Sequence, residues 1–155
     1  MDGRPGFEVG PLSSAIFRVA RLHKSLAARL LRESGLHPGQ ELVLMTLWRD
    51  GPQRQVDLVR TLDSDAPTMA RSIARLEKSG LVRRSPSPTD GRASIVEATE
   101  ASLPLRARVE QAWSALERLT AAGLSPRRAG EALSLLAELE AGLQVAADQA
   151  QQDGR

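Results

Sequence analysis

The stretch from Val56 to Glu100 constrains the fold more than any other part of the sequence. It contains a short helical pattern, a tight polar break, a second helix with one face of Arg, Ser and Thr, and then a basic hairpin within residues 80–97. A helix-turn-helix followed by a two-stranded wing is an arrangement that reads duplex DNA. The order of these segments therefore predicts a fold class and, with it, a class of function.

The apolar periodicity outside this stretch predicts a mainly helical chain (α+β). Gly35 suits the end of the first helix, Pro38 the first residue of the second, and Asp65 the N-cap of the fourth, which Gly80 closes. Pro104 cannot occupy a helix interior without the loss of a hydrogen bond, so the fifth helix begins near residue 102 or bends there. We predict helices over about residues 12–32, 38–50, 53–62, 66–79, 102–120 and 125–147, and strands over Leu81–Arg84 and Ala93–Ala98.

The amino-acid composition limits the kinds of core and of functional site that the chain can form. A chain of 155 residues with 3% aromatic residues and no Tyr must build its core from Leu, Val and Ala, which favours helices. Because the chain has no Cys, disulfides and thiolate metal sites are excluded. Two histidines do not favour a metal sensor, although a site built from His, Asp and Glu stays open. No cofactor is expected.

The sequence does not predict a membrane protein. No apolar run approaches the roughly 20 residues needed to cross a bilayer. The first ten residues, MDGRPGFEVG, contain no apolar signal region. We therefore expect a cytoplasmic protein without membrane contact.

The fourth predicted helix carries two different faces. Polar side chains recur at the spacing i, i+3, i+4, i+7, which aligns them on one side of a helix; they are Thr68, Arg71, Ser72 and Arg75. A separate apolar face, suited to packing on the third helix, consists of Met69, Ile73 and Leu76. A recognition helix needs this division, because apolar residues anchor it while donors enter the major groove. The alternative is an ordinary amphipathic surface helix.

The hairpin adds positive charge and a turn. Residues 66–92 have a net charge of +4, against +2 for the whole chain, which favours contact with phosphates. Arg92, near the tip, can reach a phosphate or enter the minor groove. Asp90 cannot favour DNA directly, so we expect it to bond turn amides or orient Arg92, within an Asp90-Gly91 hairpin turn.

Residues 65–99, DAPTMARSIARLEKSGLVRRSPSPTDGRASIVEAT, resemble the MarR family of bacterial transcription regulators. The shared pattern is R-L-E-x-x-G-L-V from Arg75 to Val82, then D-x-R at Asp90 and Arg92, then a strand that ends at Thr99. The chain departs from that pattern at Val59, where the family usually has Ala; at Ala98, where it has Leu; at Ser102, where it often has Gly; and at Pro104. None of these departures removes a DNA-facing group.

The resemblance implies a winged helix whose terminal helices build a homodimer, and it extends over nearly the whole chain. We predict a single domain (1–155) with a flexible arm (1–11), dimerisation helices (12–35 and 102–147), a winged helix-turn-helix DNA-binding lobe (36–101) and a frayed tail (148–155). The partners implied are a second copy of the chain and double-stranded DNA with a pseudo-palindromic operator. The candidate DNA-binding residues are Pro67, Thr68, Arg71, Ser72, Arg75, Arg84, Ser87, Thr89, Asp90 and Arg92.

The resemblance also implies a repressor that a small aromatic or phenolic ligand releases from DNA. The candidate ligand-binding residues are His23 and Trp48, although Trp48 is also expected in a core and His23 at an interface or surface. The alternative function is a winged-helix module that binds a protein instead of specific DNA. An enzyme is not favoured, because the chain offers no nucleophile–base pair, paired carboxylates or phosphate-binding Gly loop.

Overall fold

The computed structural model describes residues 10–153, which form six α helices and three short strands. In chain order they are α1 (Pro11–Leu31), α2 (Gln40–Asp50), β1 (Gln53–Arg54), α3 (Gln55–Thr61), α4 (Ala66–Lys78), β2 (Val82–Pro86), β3 (Ser94–Ala98), α5 (Leu103–Ala121) and α6 (Pro126–Asp153). Single turns of 3-10 helix follow α1 (Arg32–Ser34) and precede α5 (Glu100–Ser102). The predicted fold class, a mainly helical winged helix-turn-helix, is confirmed.

Spatial contacts divide the described residues into two compact units, one that ends at Leu116 and one that begins at Glu117. The first holds α1 to α4, the sheet and most of α5; the second holds the end of α5 and all of α6. The extents predicted for the DNA-binding lobe and the dimerisation regions remain predictions. Residues 1–9 of the predicted arm lie outside the described residues, and α1 begins at Pro11.

The core of the first unit lies where α2, α4, α5 and the sheet meet. Its most deeply buried side chains are Leu44 in α2, Ile73 in α4, Val96 in β3 and Val109 in α5. Burial of such aliphatic side chains is the main favourable term in folding. The recognition helix and the wing therefore pack on the same hydrophobic core.

The sheet has three strands, not the two that the sequence predicts. β3 lies in the centre and pairs antiparallel with both β1 and β2, with Gln53 opposite Val96 and Val82 opposite Ala98. β1 was missed because it is only two residues long and carries no alternating pattern. β2 is an edge strand, which is where a strand tolerates a proline such as Pro86.

The second helix begins later than predicted. Pro38 lies in the preceding turn and α2 starts at Gln40, because Gly39 has φ = +98°, outside the helical region. The side-chain carbonyl of Gln40 accepts a hydrogen bond from the His37 amide at 3.0 Å, and the Glu41 carboxylate accepts one from the Gly39 amide at 2.7 Å. These bonds satisfy amides at the helix start.

Two further predictions about helices met different outcomes. The fifth helix begins at Leu103, with Pro104 in its first turn where it costs no hydrogen bond, so the start near residue 102 is confirmed. The last helix extends to Asp153, because residues 143–153 contain no Gly or Pro to break it, and fraying of the tail from residue 148 remains a prediction. None of the described helices is both long and apolar enough to cross a bilayer.

Candidate nucleic-acid interface

The start of α4 is fixed by a side-chain cap. The Asp65 carboxylate accepts one hydrogen bond from the Thr68 amide at 2.8 Å and another from the Thr68 hydroxyl at 2.7 Å. These bonds hold the pKa of the Asp65 carboxyl below its ordinary value. Pro67 lies in the first turn, where its missing amide is no loss. The predicted N-cap is thus confirmed.

The two predicted faces of α4 differ in burial. Met69, Ile73 and Leu76 are buried in the core, while Arg71 and Arg75 are exposed. Thr68 and Pro67 are exposed as well, and Ser72 is partly buried. A guanidinium nitrogen of Arg71 donates to the Thr68 hydroxyl oxygen at 3.2 Å, so the cap also orients the first arginine of the exposed row.

The tip of the wing is organised by two polar side chains. The Ser87 hydroxyl oxygen accepts from the amides of Thr89 at 3.4 Å and Asp90 at 3.3 Å, and Ser87 is only 8% exposed. The Asp90 carboxylate accepts from the Arg92 amide at 3.1 Å, which is the turn bond predicted for it. Ser87 therefore builds the turn from inside, while Thr89, Asp90 and Arg92 are exposed on it.

The arginines of this region divide into paired and unpaired groups. Arg83 pairs with Glu97 at 2.7 Å across the two strands, and Arg84 pairs with Glu77 at 2.9 Å. Within residues 10–153, the side chains of Arg75 and Arg92 have no carboxylate partner. The unpaired arginines are the ones that can neutralise an external phosphate without first breaking an ion pair.

Arg54 is a further arginine beside the wing that the sequence did not reveal, and it belongs to the paired group. It lies in β1 and, together with Arg92, lines a cavity of about 310 Å³ between α3 and the start of β3, at the tip end of the wing. Its guanidinium donates to both carboxylate oxygens of Asp57, at 2.7 and 3.1 Å, and these bonds lower the pKa of the Asp57 carboxyl. Val56 also lines this cavity and is 44% exposed, whereas Leu58 is the buried residue of α3.

The two candidate ligand-binding residues lie in different places. Trp48 lines a cavity of about 470 Å³ between α2, α3 and α5, whereas His23 is exposed on α1 and does not line it. Trp113, on the α5 side of the same cavity, has a buried indole N–H without a hydrogen-bond partner. Arg49 and Arg106 also border the cavity. No group of three or more His, Asp or Glu in residues 10–153 is arranged to hold a metal.

Trp48 is connected to the end of the recognition helix by hydrogen bonds. Its indole N–H donates to the Ser102 hydroxyl at 3.0 Å, and that hydroxyl donates to the Thr99 carbonyl at 2.7 Å. The Thr99 hydroxyl then donates to the Gly80 carbonyl at 2.6 Å. Three consecutive bonds therefore join the cavity wall to the point where α4 ends and the wing begins.

Comparison with known proteins agrees with this architecture. The MarR family model matches residues 36–94. The structure of reduced AbfR bound to DNA is 30% identical in sequence, covers 86% of this chain and 90% of its own, and superposes with a TM-score of 0.72.

Two more distant structures share the fold. A mutant of E. coli MarR in complex with operator DNA is 24% identical, with 85% of this chain and 95% of that chain covered and a TM-score of 0.76. The PcaV regulator from Streptomyces coelicolor, in complex with its natural ligand, is 19% identical, with 84% and 92% covered and a TM-score of 0.75. The family match and the 30% identical relative show that the chain belongs to the MarR family of winged-helix, DNA-binding transcription regulators, which are not enzymes.

Proposed function

We propose that this chain acts as a homodimeric, sequence-specific repressor that a small aromatic or phenolic ligand releases from its operator. One observation carries the DNA-binding part: an exposed row of polar side chains on α4 and an unpaired Arg92 at the wing tip stand on one buried core. In this proposal α4 enters the major groove, where Arg71 and Arg75 bond guanine edges. Arg92 enters the adjacent minor groove or contacts a phosphate.

Apolar surface on the terminal helices supports the homodimer. On α1, Phe17, Val19 and Leu22 are each more than 60% exposed. On α6, no side chain over residues 126–152 is buried, and the exposed apolar residues include Leu136 and Leu143. Exposed apolar surface of this kind marks an interaction site. A two-fold dimer would present two copies of α4 about 34 Å apart, which matches one turn of DNA and an inverted repeat.

The cavity beside Trp48 supports a small-molecule effector. Its volume of about 470 Å³ suits a single-ring ligand. The indole N–H of Trp113 is a buried donor without a partner, so a ligand with a phenolate or carboxylate oxygen would satisfy it if the indole turned toward the cavity. The bound natural ligand of PcaV adds support from a protein of the same fold.

Release from DNA requires that the ligand favour one conformation over another. The hydrogen bonds from Trp48 through Ser102 and Thr99 to Gly80 offer a route by which a shift of the indole would reach the end of α4. A ligand that moves Trp48 would then disfavour the wing and helix arrangement that fits DNA.

The DNA-binding proposal is tested by selection of duplexes from genomic fragments in a gel-shift assay, followed by titration of the selected operator. The double variant Arg71→Ala, Arg92→Ala should lose specific retention, whereas Arg108→Ala, Arg118→Ala, which removes the same two positive charges from exposed sites on α5, should bind normally. Unchanged binding by the double variant would contradict the proposal. If the wild type retains no specific duplex at any salt concentration, the protein-binding alternative gains support.

The effector is tested with benzoate, 4-hydroxybenzoate and phenol as probes. A ligand of the native state raises the apparent Tm, and an effector must also weaken operator binding. Trp113→Phe should reduce both responses. A probe that raises the Tm but leaves operator affinity unchanged would count against ligand release. Repression itself predicts that deletion of the gene raises transcription from the promoter that carries the operator.

A further inference from the structure

We infer that Glu77 is a positioning residue, which fixes the wing against the recognition helix, and that Arg84 serves this clamp instead of contacting DNA. The inference rests on the proposed DNA-binding function. It reassigns Arg84, for which the sequence predicts a DNA contact. It concerns two residues that act on DNA only through the geometry of their neighbours.

The clamp consists of three donors on one carboxylate. The backbone amide of Arg84 donates to Glu77 Oε2 at 3.2 Å, and a terminal guanidinium nitrogen donates to Oε1 at 2.9 Å. The Nε atom of Arg84 lies 3.3 Å from both oxygens. These bonds hold the pKa of the Glu77 carboxyl below its ordinary value. Glu77 is therefore charged wherever the protein is folded near neutral pH.

The backbone contact distinguishes this pair from an ordinary surface ion pair. β2 is an edge strand, so amides on its outer side have no strand partner. The Glu77 carboxylate supplies an acceptor for one of them, and the planar guanidinium of Arg84 fixes the orientation of that carboxylate. Both side chains are 38% exposed, so solvent screens their attraction. The contribution of the clamp is consequently geometric more than energetic.

The clamp lies where the chain turns from α4 into the wing, so a small change of angle there produces a large displacement at the wing tip. Between Glu77 and Arg84 the chain turns through Gly80, at φ = +74°, and the Leu81 amide bonds the Leu76 carbonyl at 2.9 Å. Five strand residues separate this turn from the wing tip, a lever of about 17 Å. A rotation of about 10° at the base would therefore displace Arg92 by about 3 Å, which is enough to break a hydrogen bond to DNA.

The clamp and a purely electrostatic explanation predict opposite effects of removing the Glu77 charge on operator affinity. Removal of a negative charge near the DNA-facing side should strengthen binding to any duplex, because fewer repulsive contacts oppose the phosphates. If Glu77 positions the wing, its removal should instead weaken binding to the operator while binding to non-specific duplex stays equal or becomes tighter. The ratio of specific to non-specific affinity therefore separates the two explanations.

The experiment titrates wild type, Glu77→Gln, Glu77→Ala and Arg84→Lys with the selected operator and with a non-specific duplex of equal length. We expect each variant to lose about ten-fold or more in operator affinity, without loss on non-specific duplex. Arg84→Lys keeps the charge, so a phosphate contact would survive it whereas the two-point clamp would not. Operator binding by Glu77→Gln that equals or exceeds that of the wild type would overturn the inference.

Two controls separate loss of the clamp from other causes of weaker operator binding. Glu97→Gln removes the wing carboxylate that pairs with Arg83 by side chain alone, and its operator affinity should be unchanged or higher; an equal loss in this variant would contradict a specific role for Glu77. Hydrogen exchange of the Arg84 amide, measured without DNA, should accelerate in Glu77→Ala. Unchanged exchange would refute the clamp even if no operator is found, whereas a wild type without specific binding would refute the proposed function alone.

Discussion

Substitution of Ser102 by Ala tests the connection between the cavity and the recognition helix. Ser102 is fully buried, and its hydroxyl both accepts from the Trp48 indole at 3.0 Å and donates to the Thr99 carbonyl at 2.7 Å. The resemblance to the MarR family suggests Gly as the frequent residue at this position. A Gly has no hydroxyl, so a chain with Gly at this position could not form the Trp48–Ser102 bond.

The expected loss of stability in Ser102→Ala follows from the hydrogen-bonding groups that the substitution leaves without partners. In Ser102→Ala the Thr99 carbonyl still accepts from the amide of residue 102 at 3.0 Å, so only the Trp48 indole loses its partner. An unsatisfied buried donor costs about 1–3 kcal/mol. Trp48 is only partly buried, which lets water reach it and favours the lower half of that range. For a chain of this length, about 1–2 kcal/mol corresponds to a fall in Tm of about 3–6 °C.

A double-mutant cycle measures the contribution of the Trp48–Ser102 hydrogen bond to stability. Thermal and urea unfolding of wild type, Ser102→Ala, Trp48→Phe and the double variant should be measured at one protein concentration, because the apparent stability of a dimer depends on it. We expect a coupling free energy of about 1 kcal/mol between the two positions. Ser114→Ala, at an exposed site on α5, should be nearly neutral. Effects that add within about 0.3 kcal/mol would refute the bond as a link between α2 and the base of the wing.

Three further predictions concern DNA, assembly and pH. Arg92→Ala should reduce the slope of log affinity against log salt by about 1.8, because two wing arginines per dimer each release about 0.9 counterions; an unchanged slope would exclude a phosphate contact. Leu136→Glu, on the exposed face of α6, should produce monomers by sedimentation velocity, and a persistent dimer would place the interface elsewhere. Burial raises the pKa of the Glu41 carboxyl above its ordinary 4.5. The folded protein therefore holds this proton to higher pH than the unfolded chain, and stability falls as pH rises through that window. Glu41→Gln should raise the Tm at pH 7 and leave it unchanged near pH 3.5; a lower Tm at pH 7 would contradict the sign.

Local signals explain why the recognition helix could be predicted so closely. Asp65 caps it within three residues, and Gly80 ends it by a left-handed turn that other residues rarely adopt. The division between buried Met69 and exposed Arg71 follows from helical periodicity alone. Each of these signals depends on residues a few positions apart, so a single sequence is enough to reveal them.

Other features depend on residues that are distant in the chain. β1 exists because Gln53 pairs with Val96, and nothing in its own two residues predicts a strand. Trp48 and Ser102 meet across a separation of 54 residues. In neither pair does the sequence around one residue predict its contact with the other.

The sequence by itself therefore determined the winged-helix class, the limits and faces of α4, and the positive charge of the reading segment. Only the tertiary structure decided which charged and polar groups are free to act: it turns Ser87 inward, joins Arg84 to Glu77 and leaves Arg92 unpaired. The physical reason is that helix caps and amphipathic faces arise from neighbours along the chain. The availability of a side chain depends instead on which partner the folded core brings beside it.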